Sequence, residues 1–417
     1  MIFNPGTEGG IPVYGHFQAR AFGELGWLVI ELCDRSAGFK PWPLVELQKL
    51  LSPDVKSGIE GRVARGALAR MRRVTGLSYR LLLNQLKLLV VMIRRCPDVV
   101  LLASYSEYLA PFWSPALFVV SKVCGIPVMA CLHDPVRDYK IGPDWWHALS
   151  VRMAYSPLSA VFVHDPLPLE ACVPPHVRSA VVPHGLFELG PEWRSTGAIR
   201  EEWEVPEGAI VFLSLGFIRD GKNLDLMIRS MVHVPDAYLV IMGRVQSASS
   251  NRPLCFYRQL AEDLGVSHRI RFREAFVPEE ALTSYFAAAD VIVMTYSRDF
   301  RSQSGVLNVA AHAAKPLLVS CGGGPLESCV LRFQLGIFVR PDDQDALDQG
   351  ALDAFSLARR QRDGASLEES DPKLDWSSYR EFASWATNAR IIEETYESLT
   401  GSQAPGADLK PGASVNP

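Results

Sequence analysis

Residues 209–223 read AIVFLSLGFIRDGKN: an apolar run, a glycine at Gly216, two cations at Arg219 and Lys222, and a helical pattern beginning near Asn223. A buried strand that turns on a glycine into a helix is the opening of a parallel α/β unit. Backbone amides of such a loop and the start of the following helix favour an anion, and Arg219 and Lys222 add charge-assisted donors at the same sheet edge. A diphosphate fits there. The same residues also serve as an ordinary strand-to-helix turn with two solvated bases, and this stretch by itself allows both readings.

Working outward, short apolar runs alternate with longer helical patterns along the chain. After 209–215 the strand candidates are 237–242, 269–272, 290–295, 316–320 and 337–339. Before it they are 27–32, 98–103, 127–132, 160–164 and 180–183, with helices predicted over 13–25, 81–95 and 109–124. The polar stretch 188–208, containing Pro191, Gly197, Pro206 and Gly208, interrupts the alternation. A chain of 417 residues suits two domains. The expected fold class is therefore α/β, with two Rossmann-like doubly wound domains at 1–187 and 209–373, a linker at 188–208, a C-terminal helix within 374–400, and a disordered Gly/Ala/Ser/Pro-rich tail at 401–417. Residues 1–4 are short for a first strand, which points to a start upstream of Met1.

Two further loops fall between a strand and a helix. Residues 296–306, YSRDFRSQSGV, offer hydroxyls and Gly305 at a helix start, where a phosphate or sugar hydroxyl can approach; Ser304 as a plain helix cap needs no ligand. Residues 321–327, CGGGPLE, carry three consecutive glycines, which let backbone run against a bound molecule and also make a mobile loop. Three such loops at one edge of a parallel sheet point to a ligand site, since open α/β sheets bind ligands there.

Taken together, Gly216, Ile218, Arg219, Lys222 and Asn223, then Met242-Gly243, Ala289-Asp290, Gln303-Ser304-Gly305-Val306, Lys315-Pro316, Gly323 with Glu327, and Gly336 with Pro341-Asp342-Asp343 resemble the donor half of the group-1 (family 4) glycosyltransferases. In the first half, Gly9-Gly10, His133-Asp134 and Pro183-His184-Gly185 sit where that family has comparable elements. The resemblance implies the GT-B fold, two domains facing a central cleft, with an acceptor domain first and a nucleotide-sugar donor domain second. It implies that Arg219 and Lys222 bind the donor diphosphate and stabilise the leaving nucleotide. It also implies donor contacts from Gly9, Gly10, Gln303, Ser304, Gly305, Val306 and Glu327, and places His133 at the reacting end of the donor. Where many members carry two glutamates eight residues apart, this chain has Arg301 and Val309; members with a Gln-Ser-Gly-Val segment lack the pair too.

The expected activity is a hexosyltransferase-type, retaining transfer of a sugar from a nucleotide diphosphate sugar to a glycan or lipid-linked acceptor, in cell-surface polysaccharide or glycoconjugate synthesis. A donor phosphate oxygen takes the acceptor proton in such a mechanism, so no protein nucleophile is needed. No cofactor and no obligatory metal are expected, because the two cations Arg219 and Lys222 take the metal's place. The rivals are a non-catalytic nucleotide-binding or scaffold protein of the same fold, motivated by Arg301 and Val309, and a nucleotide-sugar epimerase, which needs carboxylates the sequence does not place.

The net charge of −4 gives no reason to expect nucleic acid. Locally, residues 49–95 hold many bases, Arg70, Arg72 and Arg73 among them, against only Asp54 and Glu60. That segment is either a solvated helical face or a dock for an anionic membrane surface. Residues 1–10 lack a secretory pattern, no uninterrupted apolar run reaches spanning length, and the cysteines sit mostly in apolar runs, so they read as reduced core residues. The expected location is cytoplasmic, with peripheral attachment to the cytoplasmic membrane face.

Overall fold

A computed structural model describes residues 1–6, 10–52, 67–105, 107–133, 142–165, 173–191, 194–246, 251–275, 277–366 and 368–401. Gly9, Asp134, the 53–66 part of the basic segment and nearly all of the 401–417 tail lie outside these residues.

The chain forms two compact units, one of Met1–Gly185 with Ala383–Pro417 and one of Leu186–Phe382. The first is built on strands β1 (Ile2–Asn4), β2 (Val29–Asp34), β3 (Val45–Leu51), β4 (Val100–Leu102), β5 (Val128–Leu132), β6 (Ala160–Val163) and β7 (Arg178–Val181), in the order β3-β2-β1-β4-β5-β6-β7. All pairings are parallel, for example Phe3 beside Leu32 and Leu102 beside Ala130. The second holds β8 (Ile210–Leu215), β9 (Ala237–Met242), β10 (Ile270–Arg273), β11 (Val291–Thr295), β12 (Leu317–Ser320) and β13 (Gly336–Phe338), in the order β10-β9-β8-β11-β12-β13 and again parallel. Each order reverses direction once, between β1 and β4 and between β8 and β11, and each reversal opens a crevice at the strand C-termini. The central strands are buried on both faces, which is why they read as continuous apolar runs.

Helices cover both sheets. Those that bear on the argument are α1 (Gly10–Glu24), α2 (Ala67–Arg95), α3 (Ala110–Cys124), α4 (Asp144–Tyr155), α5 (Thr196–Glu202), α6 (Leu224–Ser230), α7 (Leu254–Asp263), α8 (Glu279–Ala288), α9 (Gly305–Ala313), α10 (Pro325–Arg332), α11 (Gln344–Asp363), α12 (Trp376–Phe382) and α13 (Trp385–Thr400).

Several expectations need correction. Strand β3 was not anticipated, because an edge strand with Glu46, Gln48 and Lys49 shows no apolar run. Helix α5 occupies part of the expected linker, with Ser195 capping it through the N–H of Ala198. The expected C-terminal helix is two helices, separated at Ala383-Ser384, where the Ser384 hydroxyl caps α13 through Thr387 N–H. Helix α13 packs in the first unit, where Asn388 Nδ2 donates to the Tyr14 hydroxyl at 2.7 Å and to Pro183 O at 2.8 Å. Cys33, Cys131, Cys321 and Cys329 are buried, but Cys96, Cys124 and Cys255 are exposed; these seven are free thiols.

The span 74–95 of α2 is, by length and mean hydropathy, long and apolar enough to cross a membrane, which the broken apolar run in the sequence did not suggest. One face of it is nonetheless core: Leu88, Val91 and Met92 are buried against the first sheet, and Asn84 exchanges two hydrogen bonds with the Ser52 backbone at 2.8 Å each. The opposite face leaves Tyr79, Leu86 and Ile93 exposed.

Candidate functional site

The loop after β8 and the loop after β11 meet at the reversal point of the second sheet. Ser297 N–H donates to Gly221 O at 3.0 Å, and the Thr295 hydroxyl donates to Lys222 O at 3.0 Å. Gly216 has φ 109°, a conformation that favours glycine, and a Cβ there would sit 3.1 Å from Lys222 Nζ. Gly243, with φ 147°, lies so close that a Cβ would stand 2.1 Å from Gly216 O. The two glycines therefore permit backbone-to-backbone contact between adjacent strand ends.

Lys222 ends a short 3₁₀ turn, Asp220–Lys222, and is buried, with Nζ donating to Leu215 O at 2.7 Å. Burial, with the nearby Arg219 charge adding to it, lowers its ammonium to about 7. Arg219 is half-buried and makes no side-chain hydrogen bond or ion pair among the described residues. Two cations without a carboxylate partner, at the end of a central parallel strand, form a receptor for negative charge. The neighbouring acids are engaged elsewhere. Against the cost of burial, the Tyr257 hydroxyl at 2.7 Å and Arg252 hold Asp220 below its ordinary value. Asp342 accepts from Asn223 Nδ2 at 2.9 Å and Arg298 Nε at 2.8 Å, tying the loops after β8, β11 and β13 together. Asp290 is a structural brace, with Arg200 and Arg362 both at 2.7 Å.

At the start of α9, Gly305 is exposed, Val306 is half-buried, and a Cβ on Gly305 would meet nothing within 4 Å. The first N–H groups of a helix have no intrahelical acceptor, so this end is open to an anion or a hydroxyl. Ser304 precedes the helix but its side chain does not cap it; buried, it shares a hydrogen bond with the Tyr296 hydroxyl at 3.1 Å. The Tyr296 ring stacks on Phe300 at 4.0 Å between centroids. Gln303 holds a buried Oε1 with no partner among the described residues. Arg301 is exposed, whereas Val309 is buried on α9 and belongs to the core.

Two of the three glycines at 322–324 pack against the protein's own backbone. A Cβ on Gly322 would stand 1.6 Å from Arg298 O, and one on Gly324 2.4 Å from Arg301 O. Gly322 N–H donates to Phe300 O at 3.0 Å. The loop is therefore clamped to the one after β11. Glu327, half-buried in the first turn of α10, lies near Gly323, where a Cβ would be 3.8 Å from its Oε2.

In the first unit, Gly10 opens α1 after β1, exposed and with open space where a Cβ would point. His133 follows β5, and the structure surrounds it with His184, which the sequence reading named, and with Tyr14 and His164, which it passed over. His133 Nε2 lies 2.9 Å from Ala103 O and its Nδ1 3.1 Å from His164 Nε2, while His164 Nδ1 lies 3.1 Å from Val182 O. Tyr14, fully buried on α1, sets its ring 4.6, 5.6 and 5.0 Å from those of His133, His164 and His184. Burial, with His184 and His133 adding to it, holds His164 well below its ordinary value. Burial lowers His184 to about 4. The available signal was positional: His133 and His164 each stand one residue beyond a strand's apolar run, and His184 soon after β7.

Residues 195–363 match the family model described as glycosyl transferases group 1. A curated relative, D-inositol 3-phosphate glycosyltransferase of Corynebacterium urealyticum, is 28% identical over 254 residues, 57% of this chain and 56% of its own. The chain thus spans little more than half the length of that relative. Among solved structures, Anabaena HepE in complex with UDP aligns with a TM-score of 0.63 at 14% identity, covering 95% of this chain and 99% of its own. Sucrose-phosphate synthase from Thermosynechococcus elongatus aligns at 0.61 and 15% identity, covering 96% and 98%. The two parallel sheets are those of the GT-B fold, and the second unit carries the group 1 glycosyl transferase match.

Proposed function

We propose that the chain is a retaining glycosyltransferase that moves a sugar, a hexose by this reading, from a nucleotide diphosphate sugar to a glycan or lipid-linked acceptor. The observation that carries it is the pair Arg219 and Lys222, cations without a carboxylate partner among the described residues, beside the open N-terminus of α9 at the sheet's reversal point. The diphosphate binds between them, with Gly305 and Val306 offering backbone N–H groups. Charge that builds on the leaving nucleotide meets fixed donors that need no reorganisation. Gln303, Ser304 and Glu327 line the same edge. No metal is required by this arrangement, since the two cations supply the counter-charge. The family match and the UDP bound by the Anabaena neighbour support a nucleotide-sugar donor.

A thermal-shift screen against UDP, GDP, ADP, TDP and CMP tests this. A ligand at about 100 times its Kd stabilises the folded state by roughly 2.7 kcal/mol. One nucleoside diphosphate standing out identifies the donor class, and no shift with any of them removes the proposal.

The acceptor reading rests on α2, α3 and α4. Helices α2 and α3 contain no acidic residue, and they expose Tyr79, Leu86 and Ile93 on α2 and Phe112, Val119 and Val123 on α3, with Trp145 on α4. Such a face suits the cytoplasmic side of an anionic membrane and a lipid-linked acceptor in cell-surface glycan synthesis. Co-sedimentation with anionic liposomes checks it. Neutralising Arg70, Arg72 and Arg73 together is expected to weaken binding by about 1 kcal/mol per base, and unchanged binding removes the membrane from the reading.

A further inference from the structure

Residues 219–225, RDGKNLD, set the cations Arg219 and Lys222 against the acids Asp220 and Asp225, so the segment has no formal net charge. A neutral segment is a poor receptor for an anion, and an acid so near in sequence competes with the anion for the cations beside it. The fold removes that competitor. Asp220 Oδ1 is turned to the start of α7, where it accepts from the Tyr257 hydroxyl at 2.7 Å and from the Arg252 backbone N–H at 3.1 Å, with Arg252 Nε at 3.1 Å as well. The same guanidinium donates through Nη1 to Asp225 Oδ2 at 3.0 Å. One arginine from outside the segment therefore binds both of its acids. Burial and the repelling charge of Arg219 are left to act on the Lys222 ammonium.

Both partners of Asp220 are themselves held. The Arg252 guanidinium lies 4.5 Å from the centre of the Phe256 ring and 5.6 Å from that of Tyr257, a placement that favours a cation. Arg252 precedes Pro253, which biases its backbone toward extended conformations. Tyr257 is fully buried in the core that also holds Ile218, Leu224 and Met227, so its hydroxyl is fixed relative to the turn. We propose that Arg252 and Tyr257 are positioning residues for the anion site: they hold the Asp220 carboxylate away from Arg219 and Lys222, so that the two cations stay open to the diphosphate of the donor. This deepens the glycosyltransferase reading and rests on it for the identity of the anion. The ion pairs are part-exposed, so their weight in folding is small. What they decide is which negative group the two cations meet.

The first arm of the test is calorimetric titration of the full chain with UDP. Tyr257→Phe removes a hydroxyl and no charge, and is expected to lower affinity about threefold; Arg252→Met should lower it about tenfold, the weight of a carboxylate a few ångströms from the bound charge in a part-exposed site. Adding Asp220→Asn to either variant should restore most of the loss, because the competitor is then neutral. A loss that Asp220→Asn leaves in place overturns the proposal. So does Asp220→Asn alone weakening UDP as much as Arg252→Met, since the carboxylate would then be a strut of the turn. The second arm needs no nucleotide: the Lys222 ammonium is titrated by NMR in the full chain labelled with 13C at the lysine Cε, with Lys222→Met to assign the signal. The wild-type midpoint is expected at about 7. A carboxylate released beside the ammonium favours its charged form, so Tyr257→Phe should raise the midpoint and Asp220→Asn in that background should bring it back. A midpoint unmoved by Tyr257→Phe overturns the proposal. If UDP does not bind the wild type, the donor reading fails for that nucleotide while the Lys222 titration still judges the hold on Asp220.

Discussion

Lys222 in the second unit and His164 in the first are both bases withdrawn from water at the end of a parallel strand, and they meet that cost in different ways. Lys222 has a carbonyl acceptor in Leu215 and a repelling neighbour in Arg219, so it remains part-charged near neutrality. His164 sits among aromatic rings with a base on one nitrogen and a carbonyl on the other, and burial keeps it neutral. The first arrangement awaits a counter-charge from outside, whereas the second, among rings and a carbonyl, carries no charge that calls for one. A desolvated base is therefore not one kind of site: what faces it decides whether it recruits an anion or stays neutral.

The comparison breaks most sharply at Lys222. Lys222→Met is expected to cost about 2–4 kcal/mol of nucleotide diphosphate affinity by calorimetry. Affinity close to wild type would mean that the buried ammonium is only a strut for Leu215. The next effect tests whether the second site is a rigid backbone assembly. Gly322→Ala forces a methyl against Arg298 O and should lower folding stability by about 1–3 kcal/mol in denaturant titration. Unchanged stability would show that the loops are not interlocked.

Titration sharpens the contrast further. Nucleotide affinity should fall as pH rises through about 7, since the anion favours protonated Lys222, and the dependence should flatten in Lys222→Met. Stability without ligand has the opposite sign. Between about 7 and the ordinary lysine value of 10.5 the unfolded chain binds the proton that the folded chain has released. Lys222 thus contributes a rise of about 1.4 kcal/mol per pH unit across that window. The smallest effect belongs to Ser304. Because its hydroxyl bonds to Tyr296 and not to the helix, Ser304→Ala should cost about 1 kcal/mol, measured as a shift in Tm, with no loss of α9 helicity.

Twelve of the thirteen strands were legible, the central ones because parallel strands buried on both faces announce themselves as apolar runs between turn residues. β3 was not, since an edge strand alternates Glu46, Gln48 and Lys49 with its apolar residues. The second site was legible as three loops and two cations in order along the chain. What was hidden there is the use of the glycines: nothing in CGGGPLE says that its partners are the carbonyls of Arg298 and Arg301. The histidine cluster was least legible. Its members come from the ends of β5, β6 and β7 and from α1, and only the folded sheet brings the four rings together.

Helix α13 closes the first unit from the far end of the sequence. Trp27 Nε1 donates to Glu393 Oε1 at 2.8 Å and Gln18 Nε2 to Asn388 Oδ1 at 3.0 Å, so α1 and the turn into β2 are completed only by residues made 370 and 366 positions later. During synthesis, Leu186–Phe382 emerges whole and can fold while the segment before it still exposes the surface that α13 will cover. A released chain truncated before Trp385 would hold the whole second unit and an unfinished first one. Dissecting the protein into separately expressed halves would require grafting α13 onto the end of the first, because a cut near Gly185 alone leaves that helix on the wrong piece.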